Sequence, residues 1–213
     1  MPRKPLHIRH TSEPFGWPLG ITMLRLLLLP VFLYLLLIDS HGAVPHPHRW
    51  WAVAVFVVMA ATDKLDGYLA RKLNQTTRLG ALLDPVADKL LILSSIVILS
   101  FEWIAEPGYA IPIWVVAVVY AKDVFVAIGT LVLLSLMGRV TIHARWLGKI
   151  STVAQLVLIL ATILSPDLQD LAHGNLHAAL WWIDWLVVGI SAIACADYLI
   201  AGIITYRTQA GSS

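Results

Sequence analysis

The sequence predicts an all-α integral membrane protein of about six transmembrane helices, and three observations carry that prediction. Of the 213 residues, 59% are hydrophobic and only 13% are charged, with a mean hydropathy of +0.78. A water-soluble domain carries roughly a quarter charged residues, and a chain this short has too little interior to hide so much apolar surface from water. The bilayer must therefore act as part of the solvent. The second observation is that apolar runs recur along the whole chain; the third is that Lys and Arg concentrate in alternate loops. With 15 Lys+Arg, 13 Asp+Glu and a net charge of +2, disorder, a coiled coil and nucleic-acid binding are excluded. The single cysteine, Cys195, excludes an intrachain disulfide and a Cys-rich zinc site.

In chain order, residues 1–17 are polar and basic, a cytoplasmic tail or a surface helix on the anionic inner leaflet. Six apolar runs follow: Leu26–Ile38, Trp50–Thr62, Leu90–Phe101, Ile111–Met137, Ile150–Ser165 and Ala178–Thr205. Several fall short of the roughly 20 residues that a span needs. The shortfall lies beside Arg25, Asp63 and Asp88, so polar residues must extend those helices at one end, facing protein or water rather than lipid. A β-barrel would show alternating strands of about ten residues, and a cleaved signal peptide would leave the later runs unexplained. No repeat, low-complexity tract or linker divides the chain, which reads as one domain over residues 1–213.

The loop charges set the orientation. Arg3, Lys4 and Arg9, then Arg71, Lys72 and Arg78, then Arg139, Arg145 and Lys149, then Arg207, share one side if the chain crosses six times. The opposite loops hold Asp39, Glu102, Glu106, Asp167 and Asp170, with Arg49 as their only Lys or Arg. The positive-inside rule then places both termini in the cytoplasm. Trp50, Trp51, Trp103, Trp181 and Trp182 lie near helix ends on the other side, as interfacial anchors do.

The chemistry lies in Thr62-Asp63-Lys64-Leu65-Asp66-Gly67-Tyr68-Leu69-Ala70-Arg71 and Gly80-Ala81-Leu82-Leu83-Asp84-Pro85-Val86-Ala87-Asp88-Lys89. At roughly 100° per residue, Asp63, Asp66, Gly67 and Ala70 share one face of the second helix, and Gly80, Asp84 and Asp88 one face of the third. A short loop makes the two helices antiparallel neighbours, so four carboxylates converge at the cytoplasmic end. Close carboxylates repel, and each acid at membrane depth costs about 2.5–3.5 kcal/mol on insertion scales, so the cluster needs added positive charge. Arg71 and Lys89 alone are insufficient. Divalent ions on oxygen ligands meet the need, and a carboxylate set suits Mg²⁺ or Mn²⁺ better than zinc. Two such ions about 3.5–4 Å apart form a template for in-line substitution at phosphorus. The plainer reading is a solvated acidic loop with small residues that serve helix packing. Aspartates in register on two helical faces, beside small residues and Arg71, weigh against it.

The pattern Asp63-x2-Asp66-Gly67-x2-Ala70-Arg71-x8-Gly80-x3-Asp84-x3-Asp88 matches, without gap or substitution, the signature of the CDP-alcohol phosphotransferase family. The resemblance runs from Pro18 to about Tyr198 and includes Thr22-x2-Arg25 and Gly148-Lys149-x2-Thr152-x2-Gln155. Within the family the chain is most similar to the phosphatidylglycerophosphate synthase and eukaryotic-type cardiolipin synthase branches. The resemblance implies a six-helix membrane enzyme, commonly a homodimer, whose site opens to the cytoplasm and to lipid. It implies that Asp63, Asp66, Asp84 and Asp88 hold two metal ions on the diphosphate of a CDP-linked donor such as CDP-diacylglycerol. Asp88 is then also the general base, and Asp66, Gly67, Ala70, Arg71 and Gly80 meet the nucleotide.

The acceptor alcohol divides the sequence. Glycerol 3-phosphate needs a basic pocket, for which Arg25, Lys122, Arg145 and Lys149 are the acceptor-binding candidates, beside Arg139. Lys122 stands next to Asp123 inside the fourth span, where a structural ion pair competes with acceptor binding. Phosphatidylglycerophosphate synthases generally have Arg-Glu where this chain has Lys122-Asp123, which leans towards phosphatidylglycerol as acceptor. The Asp84–Lys89 stretch and Gly148-Lys149 lean towards glycerol 3-phosphate, which is placed first. Leu19 stands where the family usually has Asn, which weakens any nucleotide contact there. An ion-coupled transporter is the reading from another class, but it would place its carboxylates near the midplane. His46 and His48 lack a third ligand and read as a solvated loop, and Asp197 and Tyr198 read as packing and hydrogen bonding.

Overall fold

The structure is a computed structural model that describes residues 17–39, 47–73, 78–105, 108–137, 146–171 and 175–210. These residues form seven helices and no strand: α1 Trp17–Asp39, α2 Pro47–Leu73, α3 Arg78–Ile98, α4 Ile113–Met137, α5 Trp146–Ile163, α6 Ser165–Leu171 and α7 Leu176–Ala210. Proline stands at or beside the start of α1, α2, α4 and α6 (Pro18, Pro47, Pro112 and Pro166), where its fixed φ suits a first turn and its missing N–H costs nothing. The reading of residues 1–16 as tail or surface helix lies outside the described residues.

Three helices are long and apolar enough to cross a membrane, at Ile113–Thr130, Trp146–Ile163 and Leu176–Ile204; shorter apolar stretches occupy Met23–Ile38 and His48–Thr62. The expected extension of short runs by polar residues is what occurs. The helix α2 continues past Thr62 through Asp63 and Asp66 to Leu73, and α3 begins at Arg78, twelve residues before its apolar run at Leu90. At the other end of that run the helix stops at Ile98, and a turn takes over where the apolar pattern continues to Phe101. All-helical architecture with this much apolar length identifies an integral membrane protein.

Contacts divide the chain into two units, residues 1–94 and 95–213. In the first, α1 packs along α2. Arg25, Phe32 and Leu36 are buried along one stripe of α1, and Arg49, Ala52, Phe56 and Met59 along one stripe of α2. Both sets follow helical spacing. Phe32 and Phe56 meet with ring centroids 5.5 Å apart. The remaining faces carry exposed Leu24, Leu27, Val31, Trp50, Trp51, Val57 and Val58, which is the outer surface of a protein solvated by lipid. Pro30 sits inside α1 on an exposed face, where it removes one helical hydrogen bond.

In the second unit α7 packs against both α4 and α5. Val115 and Val119 of α4, Leu158 and Ile159 of α5, and Val187 and Ala194 of α7 are buried. The link from α3 to α4 is tied by Ile104 N–H to Phe101 O and by Ile111 N–H to Leu99 O, each 3.0 Å. Gly108 in this link has φ +85°, a conformation that only glycine adopts cheaply, and a Cβ there would lie 3.1 Å from the His177 ring. Trp50, Trp51, Trp103, Trp181 and Trp182 are all exposed.

Candidate active site

The backbones of both aspartate segments are helical, in α2 and α3. The side chains of Asp63, Asp66, Gly67, Ala70, Arg71, Gly80 and Asp84 lie outside the described residues, as does Arg145. Asp88 is described, and so is its partner. Arg25, in the first helix, is 2% exposed, and its Nη1 donates to Asp88 Oδ1 at 3.2 Å. The Asp88 side chain is 35% exposed. A guanidinium buried this deeply needs an anion, and Asp88 supplies it across 63 residues of sequence. In return the fixed fork of Arg25 anchors one carboxylate oxygen while the group stays open to its surroundings. Arg25, a candidate acceptor ligand from sequence, is thus placed on the carboxylate expected to act as base. Lys89 beside it is half-buried.

Among the described residues no three His, Cys, Asp or Glu side chains gather as a metal site. The donor set that the sequence offers, Asp63, Asp66, Asp84 and Asp88, is all carboxylate, which fits a hard divalent ion.

The other polar centre lies in the second unit. Lys122 of α4 is 8% exposed; its Nζ donates to Ser151 Oγ at 3.0 Å and pairs with Asp123 Oδ1 at 3.0 Å. Ser151 of α5 in turn lies 3.2 Å from Ser191 Oγ of α7. The ammonium therefore links α4 to α5 and, through Ser151, to α7, and Lys122 is in an ion pair with its neighbour Asp123. One turn along α5, Gln155 is fully buried, and neither its amide nitrogen nor its amide oxygen has a hydrogen-bond partner among the described residues. Leaving such a group unsatisfied costs about 1–3 kcal/mol. Ser151 and Ser191 were not legible in the sequence, since a serine in an apolar run is common; the available signal was the i, i+4 spacing that puts Ser151 and Gln155 on one helix face.

Lys149, the leading acceptor candidate, is exposed, with Nζ 5.5 Å from the Trp146 ring centroid. Beside it Gly148 permits a close approach of α7. A Cβ there would lie 2.8 Å from Tyr198 Oη, and the Gly148 carbonyl accepts from Thr152 Oγ1 at 3.1 Å.

Comparison with known proteins bears on this site. The family model described as CDP-alcohol phosphatidyltransferase matches residues 15–192. A protein of Bacillus subtilis (strain 168) is 35% identical over 158 residues, covering 70% of this chain and 77% of its own. One of Sodalis glossinidius is 29% identical over 171 residues, covering 77% and 84%, and one of Escherichia coli (strain K12) is 30% identical over 161 residues, covering 72% and 80%. All three are named CDP-diacylglycerol–glycerol-3-phosphate 3-phosphatidyltransferase. The family is generally dependent on divalent metal. With most of its length matched by the family model and by relatives of this identity, this chain belongs to the CDP-alcohol phosphatidyltransferase family of membrane enzymes.

Proposed function

We propose that this protein transfers the phosphatidyl group of CDP-diacylglycerol to glycerol 3-phosphate, giving phosphatidylglycerophosphate and CMP. The observation that carries the proposal is the shared name of relatives 29–35% identical over at least 70% of the chain. Asp88, held by Arg25, takes the proton from an acceptor hydroxyl. The freed oxygen bonds to the phosphorus that bears diacylglycerol, the bond from that phosphorus to the bridging diphosphate oxygen breaks, and CMP leaves with that oxygen. Asp63, Asp66, Asp84 and Asp88 would hold two Mg²⁺ or Mn²⁺ ions, which neutralise the diphosphate charge. Gly67, Ala70, Arg71 and Gly80 line the nucleotide, and Arg71 meets the charge that develops on CMP. Lys149 and Arg145 bind the acceptor phosphate, while Arg25 acts on Asp88 and Lys122 is a further candidate cation for the acceptor. The enzyme works as one domain over residues 1–213 and as a homodimer, with both termini and the active site cytoplasmic.

Supplying glycerol 3-phosphate or phosphatidylglycerol separately with labelled CDP-diacylglycerol, and identifying the lipid formed, tests the acceptor. Phosphatidylglycerophosphate is expected; cardiolipin from phosphatidylglycerol with no product from glycerol 3-phosphate would refute the assignment. Lys149→Ala should lower kcat/KM for glycerol 3-phosphate by roughly ten- to a hundredfold, the worth of one charge-assisted hydrogen bond, and leave the use of CDP-diacylglycerol unchanged.

The orientation is tested by cysteine labelling in a Cys195→Ser background. A reagent that cannot cross the membrane should label Glu102→Cys, an exposed position, and spare Thr76→Cys.

A further inference from the structure

At the α7 end of the second unit lies a cavity of about 140 Å³, far more than one water needs. It is lined by the Gly108–Pro112 segment, Thr162, His177, Trp181 and Asp184, among others. His177 is exposed and its ring stacks on Tyr109 with centroids 4.5 Å apart. Asp184, two turns and about 10 Å further along the α7 axis, is only 6% exposed. Among the described residues no group donates a hydrogen bond to Asp184 and no cation pairs with it. The Thr162 hydroxyl gives its proton to Leu158 O at 3.0 Å, so towards the cavity its oxygen can only accept. The surrounding sequence adds no Lys or Arg, and His173 and His177 are its basic side chains. Residues 95–121 and 150–206 contain no Lys or Arg, but they contain Glu102, Glu106, Asp167, Asp170, Asp184 and Asp197.

A buried carboxylate in a membrane-spanning helix calls for a partner that brings positive charge and hydrogen-bond donors together. One carboxylate and one hydroxyl would leave most of the six or more oxygen ligands of Mg²⁺ or Ca²⁺ to water or backbone carbonyls, a weak site for either ion. Aromatic walls suit an organic cation, whose charge they attract through their ring faces. A quaternary ammonium has no N–H to satisfy the carboxylate; a primary ammonium has three.

We propose that this cavity is a binding site for a primary ammonium group, with Asp184 as its counter-ion and Thr162 Oγ1 as a second acceptor. The ammonium belongs either to the headgroup of an aminophospholipid or to a small free amine. The site is independent of the aspartate signature and of the acceptor alcohol.

The test uses the full chain in nanodiscs of phosphatidylcholine and phosphatidylglycerol. Methylammonium chloride or tetramethylammonium chloride is titrated at constant ionic strength, and the thermal unfolding midpoint is read by tryptophan fluorescence. Methylammonium should raise the midpoint saturably, because a ligand that binds only the folded state stabilises it by mass action; tetramethylammonium should not. Asp184→Asn should weaken the apparent affinity about ten- to a hundredfold and Thr162→Val about two- to tenfold. If Asp184→Asn does not fold, Thr162→Val carries the test. In nanodiscs that contain phosphatidylethanolamine, a headgroup occupant would compete, shrinking the methylammonium response, and would survive as a bound lipid in native mass spectrometry of the wild type. An undiminished response would assign the site to free amines. Equal responses to the two cations, or a titration that neither substitution changes, would overturn the proposal.

Discussion

The two units handle buried charge in opposite ways. In the first, a fully buried arginine holds a carboxylate that stays one-third exposed; in the second, Lys122 and Asp123 are both nearly enclosed, with side chains 8% and 10% exposed, and the lysine is shared with a serine of the next helix. A carboxylate that must exchange a proton or meet a metal ion has to keep an open side, and the arginine fixes its position without covering it. An ammonium held between a hydroxyl and a carboxylate of its own unit links helices that have no hydrophobic force to drive them together in lipid. Exposure of the anion, rather than presence of the pair, separates the centre proposed to be reactive from the enclosed one.

Substitutions can break this contrast. The largest effect should come from Asp88→Asn, whose amide keeps an acceptor for Arg25 but takes no proton and binds metal poorly. Turnover should fall about 10²–10⁴-fold, the usual contribution of a general base, with the helical content by circular dichroism unchanged. CMP release measured with saturating Mg²⁺ checks it, and wild-type rates would remove Asp88 from the chemistry. In the second unit, Lys122→Met should act on stability first. It removes the ammonium paired with buried Asp123, at a cost of about 3–5 kcal/mol in thermal or denaturant unfolding, against about 1 kcal/mol for Ser191→Ala, which removes one neutral hydrogen bond. Equal costs for the two would show that the lysine is not the centre of the network. Gly148→Ala sharpens the comparison at smaller scale. Its methyl group must displace the Tyr198 ring end, costing about 1–3 kcal/mol by overpacking, and Tyr198→Leu in the same chain should recover part of the loss. A Gly148→Ala protein as stable as wild type would mean that Tyr198 swings away freely.

The sequence already placed polar helix ends beside short apolar runs because hydrophobic length and helical period are local properties. Asp63 and Asp66 inside a continuing α2, and Asp84 and Asp88 inside an α3 that starts early, follow from that alone. The family, too, was legible, because the eight fixed signature positions, Asp63 to Asp88, lie within one short stretch of chain. What could not be read was partnership. Arg25 and Lys122 both stood among the basic residues available for an acceptor phosphate, and nothing local tells an arginine which carboxylate it will meet 63 residues away.

Composition and periodicity by themselves determined that this is an all-helical membrane protein with aspartates in register on the second and third helices, since each of those features depends only on residues within a few turns of one another. Only the tertiary structure decided that Arg25 closes on Asp88, that Lys122 binds Ser151 and through it Ser191, and that Asp184 lines a cavity with no cation paired to it among the described residues. Those outcomes depend on which helix faces come together in lipid. Packing geometry chooses those faces, and no single helix carries that information.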